Sequence, residues 1–271
     1  MARLKTKKQS LIPQGLAPGS LNRGVILLRA IAQGSRKGSA LTELVARTAL
    51  PRPTIHRVMD QLIDIGWVMR DPVTHRFNLG MELAALGYSA MSRNPIEKRA
   101  APYLAMLAER INQVVYLNVK SGFDSVCIGR YESNSQIQVG KGMVGMRMPF
   151  GMSPSCMAML ARFPEEEIEE LIKGNMSRYY RIDGFDETGF RKAVQTSVHH
   201  GYSTYDGIVL DRTTSGLGVP ILDTDGYPIA GIGTTYITGW LSDDQWRACL
   251  DQLRDTSRQI TRMLFHTRDS F

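Results

Sequence analysis

Residues Leu41–Gly80 read LTELVARTALPRPTIHRVMDQLIDIGWVMRDPVTHRFNLG, and the segment ALPRPTIHRVMDQL at Ala49–Leu62 decides how the stretch folds. Pro51 and Pro53 flank Arg52 and run straight into a helical pattern. A proline in a first helical turn gives up no hydrogen bond that the helix needs, so this pair marks an entrance. Ile55, Val58, Met59, Leu62 and Ile63 recur at steps of three and four, which predicts a helix over Pro53–Ile65 that stops at Gly66. Its other face carries Thr54, His56, Arg57, Asp60, Gln61 and Asp64.

The same reading extends outward. Val25, Leu28, Ile31 and Ala32 predict a helix from Leu21 to Gly34, and a second covers Leu41–Thr48 with Ser39 as its candidate cap. Downstream, Trp67–Arg70 and Arg76–Leu79 read as strands joined by an Asp-Pro-Val-Thr turn with Pro72 second. Three helices followed by a hairpin is the order of a winged helix-turn-helix.

Charge points the same way. Residues 1–93 hold 14 Lys/Arg against 5 Asp/Glu, and residues 94–271 hold 19 against 21. All the excess positive charge therefore sits in the first third, as a polyanion-binding head on a near-neutral body requires. Three scattered cysteines without a C-x-x-C pair or a Cys/His cluster exclude a disulfide or zinc framework and fit a reducing cytosol. No metal and no cofactor is expected. No signal peptide or membrane-length apolar run is seen, so the expected location is the cytoplasm.

The expected organisation is a flexible basic arm over 1–20, a winged helix-turn-helix over 21–80, a linker helix over 81–94 and an effector and oligomerisation domain over 95–271. The linker, helical from Met81 to Met91, carries Leu83, Leu86 and Gly87 on a face suited to a second subunit. Beyond Ser92–Pro95 a helix is predicted over Ile96–Ile111. Strands follow at Val114–Lys120, Ser125–Tyr131 and Gln136–Val139, and helices at Pro154–Arg162, Pro164–Lys173 and Glu187–His200. Strands at Tyr202–Val209, Ser215–Leu222 and Ile229–Ile237 and a final helix over Trp246–His266 complete an α+β sheet domain.

A major groove admits one α-helix and is read from that helix's first turns. Arg52, Pro53, Thr54, His56, Arg57 and Gln61 are the candidate contacts from the recognition helix, with Arg70, His75 and Arg76 from the wing. In the second domain six methionines fall between Met143 and Met159, among them Met146 and Met148. Ser153 can cap a helix that begins at Pro154, leaving the N–H groups of Ser155, Cys156 and Met157 at its N-terminus. Two readings stay open for this segment. It is either an apolar pocket with an anion-binding end or a capped core helix with methionine as filler.

The Leu41–Gly80 stretch resembles the DNA-binding region of the isocitrate lyase regulator (IclR) family of bacterial transcription factors. Its Thr-Ile-His-Arg sequence, the Gly-Trp opening of the wing and the closing Arg-Phe-Asn-Leu-Gly carry the likeness. GMRMPFGMSPSCMAMLA (Gly145–Ala161), GYSTYD and GLGVPILDTDGYPIAGIGTT extend it into the second domain. The resemblance implies a protein that binds a double-stranded DNA operator as a homodimer or tetramer. It also implies a GAF-like antiparallel-sheet domain that holds a small organic acid. Effector contacts are implied at Ser153, Pro154, Ser155, Cys156, Asp206, Gly216, Gly233 and Thr235. This chain departs from the family at Cys156 and Met157, where Gly-Lys is common, and at Gly216 and Gly233, where cysteine and serine are common. Fewer polar groups and two glycines that make room imply a larger effector than glyoxylate or pyruvate, an aromatic carboxylate from a catabolic pathway.

Two other functions compete. One is a redox or hydrolytic enzyme that uses Cys156 as a thiolate, with His199 or His200 as base. The other is an architectural DNA-binding protein without a ligand, which leaves the large second domain without a task. The expectation is a transcriptional regulator, not an enzyme.

Overall fold

The computed structural model describes residues 19–35, 37–93, 95–135, 139–140, 142–206 and 213–265. The expected arm therefore lies outside the described residues except for Gly19 and Ser20. Two compact units are present, residues 1–94 and 95–271. Among the described residues no helix is long and apolar enough to cross a membrane.

The first unit contains α1 (Ser20–Ala32), α2 (Leu41–Thr48), α3 (Arg52–Asp64), β1 (Val68–Arg70), β2 (Phe77–Leu79) and α4 (Met81–Arg93). Leu27, Leu44, Ile55, Val58, Met59, Leu62, Val68 and Phe77 close one small core beneath the helices and the hairpin. Pro51 takes the extended conformation just ahead of α3, and Pro53 sits in its first turn, as the stiff entrance requires.

Ser39 does not cap α2. Its backbone pairs with Phe77 in both directions at 2.9 Å, adding a one-residue third strand to the wing. The cap instead comes from Glu43, which accepts the Ala40 N–H at 3.1 Å. Asp71 shapes the wing tip, accepting the Thr74 N–H at 2.6 Å, the Thr74 hydroxyl at 2.8 Å and the Val73 N–H at 3.0 Å. These bonds, those from Thr74 foremost, hold its carboxyl below the usual range.

The second unit contains α5 (Ile96–Ile111), β3 (Val115–Ser121), β4 (Asp124–Tyr131), β5 (Arg147–Pro149), α6 (Pro154–Leu160), α7 (Glu165–Tyr179), α8 (Glu187–His200), β6 (Ser203–Asp206), β7 (Thr214–Leu222), β8 (Pro228–Ile237) and α9 (Asp243–Phe265). One antiparallel sheet runs in the order β5-β4-β3-β8-β7-β6. Strand alternation divides its faces. Val115, Leu117, Leu217, Val219, Ile221 and Ile232 pack with residues of α5 and α9 on one side. The opposite face receives α6.

Several boundaries differ from the sequence expectation. The strand expected at Gln136–Val139 falls mostly outside the described residues, and Val139 itself is not in a strand. The described part of the strand expected over Tyr202–Val209 is Ser203–Asp206. β5 was not anticipated, because three residues show no alternation. α7 runs past Lys173 to Tyr179, since Gly174 admits the Phe123 ring and Asn175 donates to the Phe123 carbonyl at 2.7 Å. α9 begins three residues before Trp246, capped by Ser242. Its hydroxyl accepts the Gln245 N–H at 3.3 Å while Gln245 accepts the Ser242 N–H at 2.9 Å.

Candidate nucleic-acid interface and effector site

Helix α3 presents two faces. Ile55, Val58, Met59 and Leu62 are buried, which turns Arg52, Pro53, His56, Arg57 and Gln61 into solvent with Thr54 half-buried beside them. That row supplies two guanidinium groups, an imidazole, an amide and a hydroxyl within three turns. Such a set can meet phosphates and base edges together. On the wing, Arg70 is exposed and lies 5.7 Å over the Phe77 ring, and His75 is exposed in the left-handed conformation at φ +55°.

Arg76 stands apart from this set. Its Nε donates to the Gly38 carbonyl at 3.0 Å and its Nη2 to Glu43 at 2.8 Å. The bond from Arg76 leads the causes that hold the Glu43 carboxyl below the usual range. The expected contact residue therefore also ties the wing to α2, through two of its five donors. Sequence pattern gives no signal for this, because the partner lies 33 residues away.

In the second unit, helix α6 lies directly on the sheet. A Cβ at Gly218 would stand 2.1 Å from the Pro154 carbonyl oxygen, and one at Gly231 would stand 2.4 Å from that of Ser155. A Cβ at Gly216 would meet Pro154 Cγ at 2.5 Å, and one at Gly233 the Ser155 nitrogen at 2.9 Å. The room that Gly216 and Gly233 make is thus filled by the backbone and proline ring of α6, not left for a ligand. Ser203 donates to the Pro154 carbonyl, and Asn118 donates to the Ser155 hydroxyl at 2.7 Å, which fixes the helix sideways.

The expected anion-binding end is also altered. Ser153 caps α6 as anticipated, but its hydroxyl accepts the Cys156 N–H at 3.4 Å and its carbonyl the Met157 N–H at 2.8 Å. Two of the three donors expected for a carboxylate are used within the loop. All seven residues of α6 are buried, so the capped-core-helix reading describes this element. Arg147 offers no free cation here. It forms an ion pair with Asp124 at 3.0 Å and donates to Ser121, while Arg178 also pairs with Asp124, and this binds β5, β4 and α7 together.

Burial pushes the Cys156 thiol up, against smaller opposing effects from Ser125, Ser153 and Ser155. A fully buried thiol among serine hydroxyls lacks the electropositive, accessible setting of a reactive cysteine. His199 and His200 are exposed at the end of α8, with the His200 ring stacked on Tyr202 at 5.3 Å. The enzymatic alternative loses its nucleophile.

Other expected effector residues divide. Met148 packs against the Phe150 cluster, and Asp206 ends β6 with its side chain outside the described residues. Met146 packs with Val114, Tyr116 and Cys127, and Thr235 donates to the Val139 carbonyl at 2.9 Å. Tyr116, Asn118 and Tyr205 lie on the α6 face and were not anticipated. The signal was present in Val115-Tyr116-Leu117-Asn118, where apolar and polar residues alternate over the four buried residues that open the strand. The Tyr116 and Tyr205 hydroxyls are buried without a partner among the described residues.

Two family descriptions match the chain: "IclR helix-turn-helix domain" over residues 20–72 and "Bacterial transcriptional regulator IclR C-terminal" over residues 88–262. The HTH-type transcriptional regulator KipR of Bacillus subtilis is 26% identical over 230 residues, 84% of this chain and 90% of that protein. The Pca regulon regulatory protein of Pseudomonas putida is 23% identical over 252 residues, 91% and 84% of the two chains. An IclR transcriptional regulator from Alicyclobacillus acidocaldarius superposes with a TM-score of 0.74 at 20% identity, covering 92% of this chain and 99% of that one. An IclR homolog from Microbacterium hydrocarbonoxydans, crystallised with 4-hydroxybenzoate, gives 0.70 at 21% identity over 91% and 99%.

Proposed function

The chain belongs to the IclR family of bacterial transcriptional regulators, with a helix-turn-helix DNA-binding domain and a C-terminal effector domain, and we propose that it is a cytoplasmic regulator whose operator binding responds to an aromatic carboxylic acid. The observation that carries the DNA half is the exposed row Arg52, His56, Arg57 and Gln61 on a helix anchored by its buried face. For the effector, the support is the wall of Val114, Tyr116, Cys127 and Met146 on the α6 side of the sheet. A neighbour of the same fold was crystallised with 4-hydroxybenzoate, which favours the same ligand class. The mechanism is a coupling free energy between the two sites, with effector binding altering how a dimer presents its two α3 helices.

The dimer is itself part of the proposal. Helix α4 buries none of its 13 residues, and Met81, Leu86, Tyr88 and Met91 are exposed along it. A second copy of this helix is the natural cover for such a face, and two half-sites one helical turn apart follow from the two-fold.

Mobility shifts and footprinting on the DNA flanking its own gene, with benzoate, 4-hydroxybenzoate, glyoxylate and pyruvate in turn, test the reading. An aromatic acid is expected to change operator affinity. A response confined to glyoxylate or pyruvate would remove the aromatic assignment, and no footprint under any condition would remove the operator.

A further inference from the structure

The turn between α1 and α2 is joined to the wing along a seam that Arg76 crosses. Gly38 takes φ +87°, and a Cβ there would stand 2.9 Å from the Asn78 side-chain amide, so the turn's backbone lies against the hairpin. Ser39 pairs with Phe77 at the next position. Arg76 donates through Nε to the Gly38 carbonyl at 3.0 Å and through Nη2 to Glu43 Oε1 at 2.8 Å. The second Glu43 oxygen accepts the Ala40 N–H at 3.1 Å, so the carboxylate cannot swing away without uncapping α2. A guanidinium carries five N–H groups in one rigid plane. Among the described residues three of those on Arg76 have no acceptor, two on Nη1 and one on Nη2, and 28% of its side chain is exposed. Adjacent nitrogens with free protons match two oxygens of a phosphate. The exposed His75 precedes Arg76, and the exposed Arg70 pairs with Phe77 across the hairpin, so three basic residues share the wing.

We propose that Glu43 is a positioning residue for DNA binding: it holds one edge of the Arg76 guanidinium so that the other edge grips a backbone phosphate. A carboxylate on a DNA-binding unit repels phosphates by itself. It favours binding only by orienting a cation, which here spares Arg76 part of the rotamer freedom it would otherwise lose on the DNA. The inference rests on the operator-binding reading above and adds to it an acidic residue that acts through a basic one.

The test uses the full chain and its footprinted operator, with mobility shifts over a salt series for the wild type, Glu43→Gln, Arg76→Ala, Arg76→Lys and the Glu43→Gln/Arg76→Ala double variant. Each is assayed at a temperature where its circular dichroism spectrum matches the wild type. Glu43→Gln removes a negative charge and leaves one oxygen to serve both Ala40 and Arg76. It is expected to bind the operator about three-fold or more weakly, whereas loss of a merely repulsive charge would tighten binding. Arg76→Ala is expected to reduce the salt slope by about 1, the share of one phosphate contact. Arg76→Lys keeps the charge without the two-edged plane and is expected to bind less tightly than the wild type. In the Arg76→Ala background, Glu43→Gln should leave affinity unchanged or raise it, because the residue it orients is gone. Wild-type or tighter binding by Glu43→Gln overturns the proposal, as does wild-type binding by Arg76→Lys. So does an unchanged salt slope in Arg76→Ala. A weakening by Glu43→Gln that persists in the double variant shows a structural role for the cap alone and overturns it too. All of these leave the operator reading standing. Failure of the wild type to bind any operator removes that reading, and the inference with it.

Discussion

Replacing Gly218 by alanine tests the closest contact in the effector domain. The added methyl carbon would stand 2.1 Å from the Pro154 carbonyl oxygen, 2.3 Å from its carbon and 2.6 Å from the Ser155 nitrogen. All three are backbone atoms of a buried helix, so no side chain can rotate away. Ordinary contact needs roughly 3.5 Å or more, so α6 must lift by about 1 Å. Overpacking of this kind costs about 1–3 kcal/mol. The gain from a stiffer unfolded chain offsets only about 0.4–1 kcal/mol of that. The net loss should lower the melting temperature of this unit by roughly 2–4 °C for each kcal/mol. Urea and thermal denaturation followed by circular dichroism measure it. Gly24→Ala supplies the contrast, because its methyl would meet Leu62 at 3.8 Å and Val58 at 3.9 Å inside α1. There the helix should gain about 0.5–1 kcal/mol. Wild-type stability in Gly218→Ala would refute the seating of α6 on the glycines.

Further consequences concern the first unit and the buried thiol. Arg57→Ala should weaken operator binding by about 1–3 kcal/mol if its guanidinium reads a base, and unchanged affinity in a mobility shift rejects that role. Glu43 titrates below its ordinary value near 4.5, chiefly because of Arg76, so its contribution is present above that pH and is lost as pH falls through the lower folded value. Glu43→Gln should therefore lower stability at pH 7 by up to about 1 kcal/mol, given the half-exposed pair, and the difference should vanish on acidification. A pH-independent difference argues against the ion pair. Cys156 should resist iodoacetamide at neutral pH until urea opens the domain, and rapid labelling of the folded protein would contradict its burial.

Local pattern carried much of this protein. The α3 face, the wing order and the bounds of α5 and α8 were legible because buried residues recur at a helix's own period, and Gly66, Asn112 and Gly201 end the elements where the period stops. The Ser-Asp-Asp-Gln start of α9 carries an equally legible capping box. What periodicity reports is that a residue is buried, not what covers it. Gly216 and Gly233 read as vacant space until the sheet register set the first turn of α6 upon them. Arg76 read as a DNA contact alone, and the hairpin also brings it to Glu43. Tyr116 was a strand residue like its neighbours until Gly140 packed against its hydroxyl. Each of these depends on groups distant in the chain, and only the folded backbone decides which of them meet.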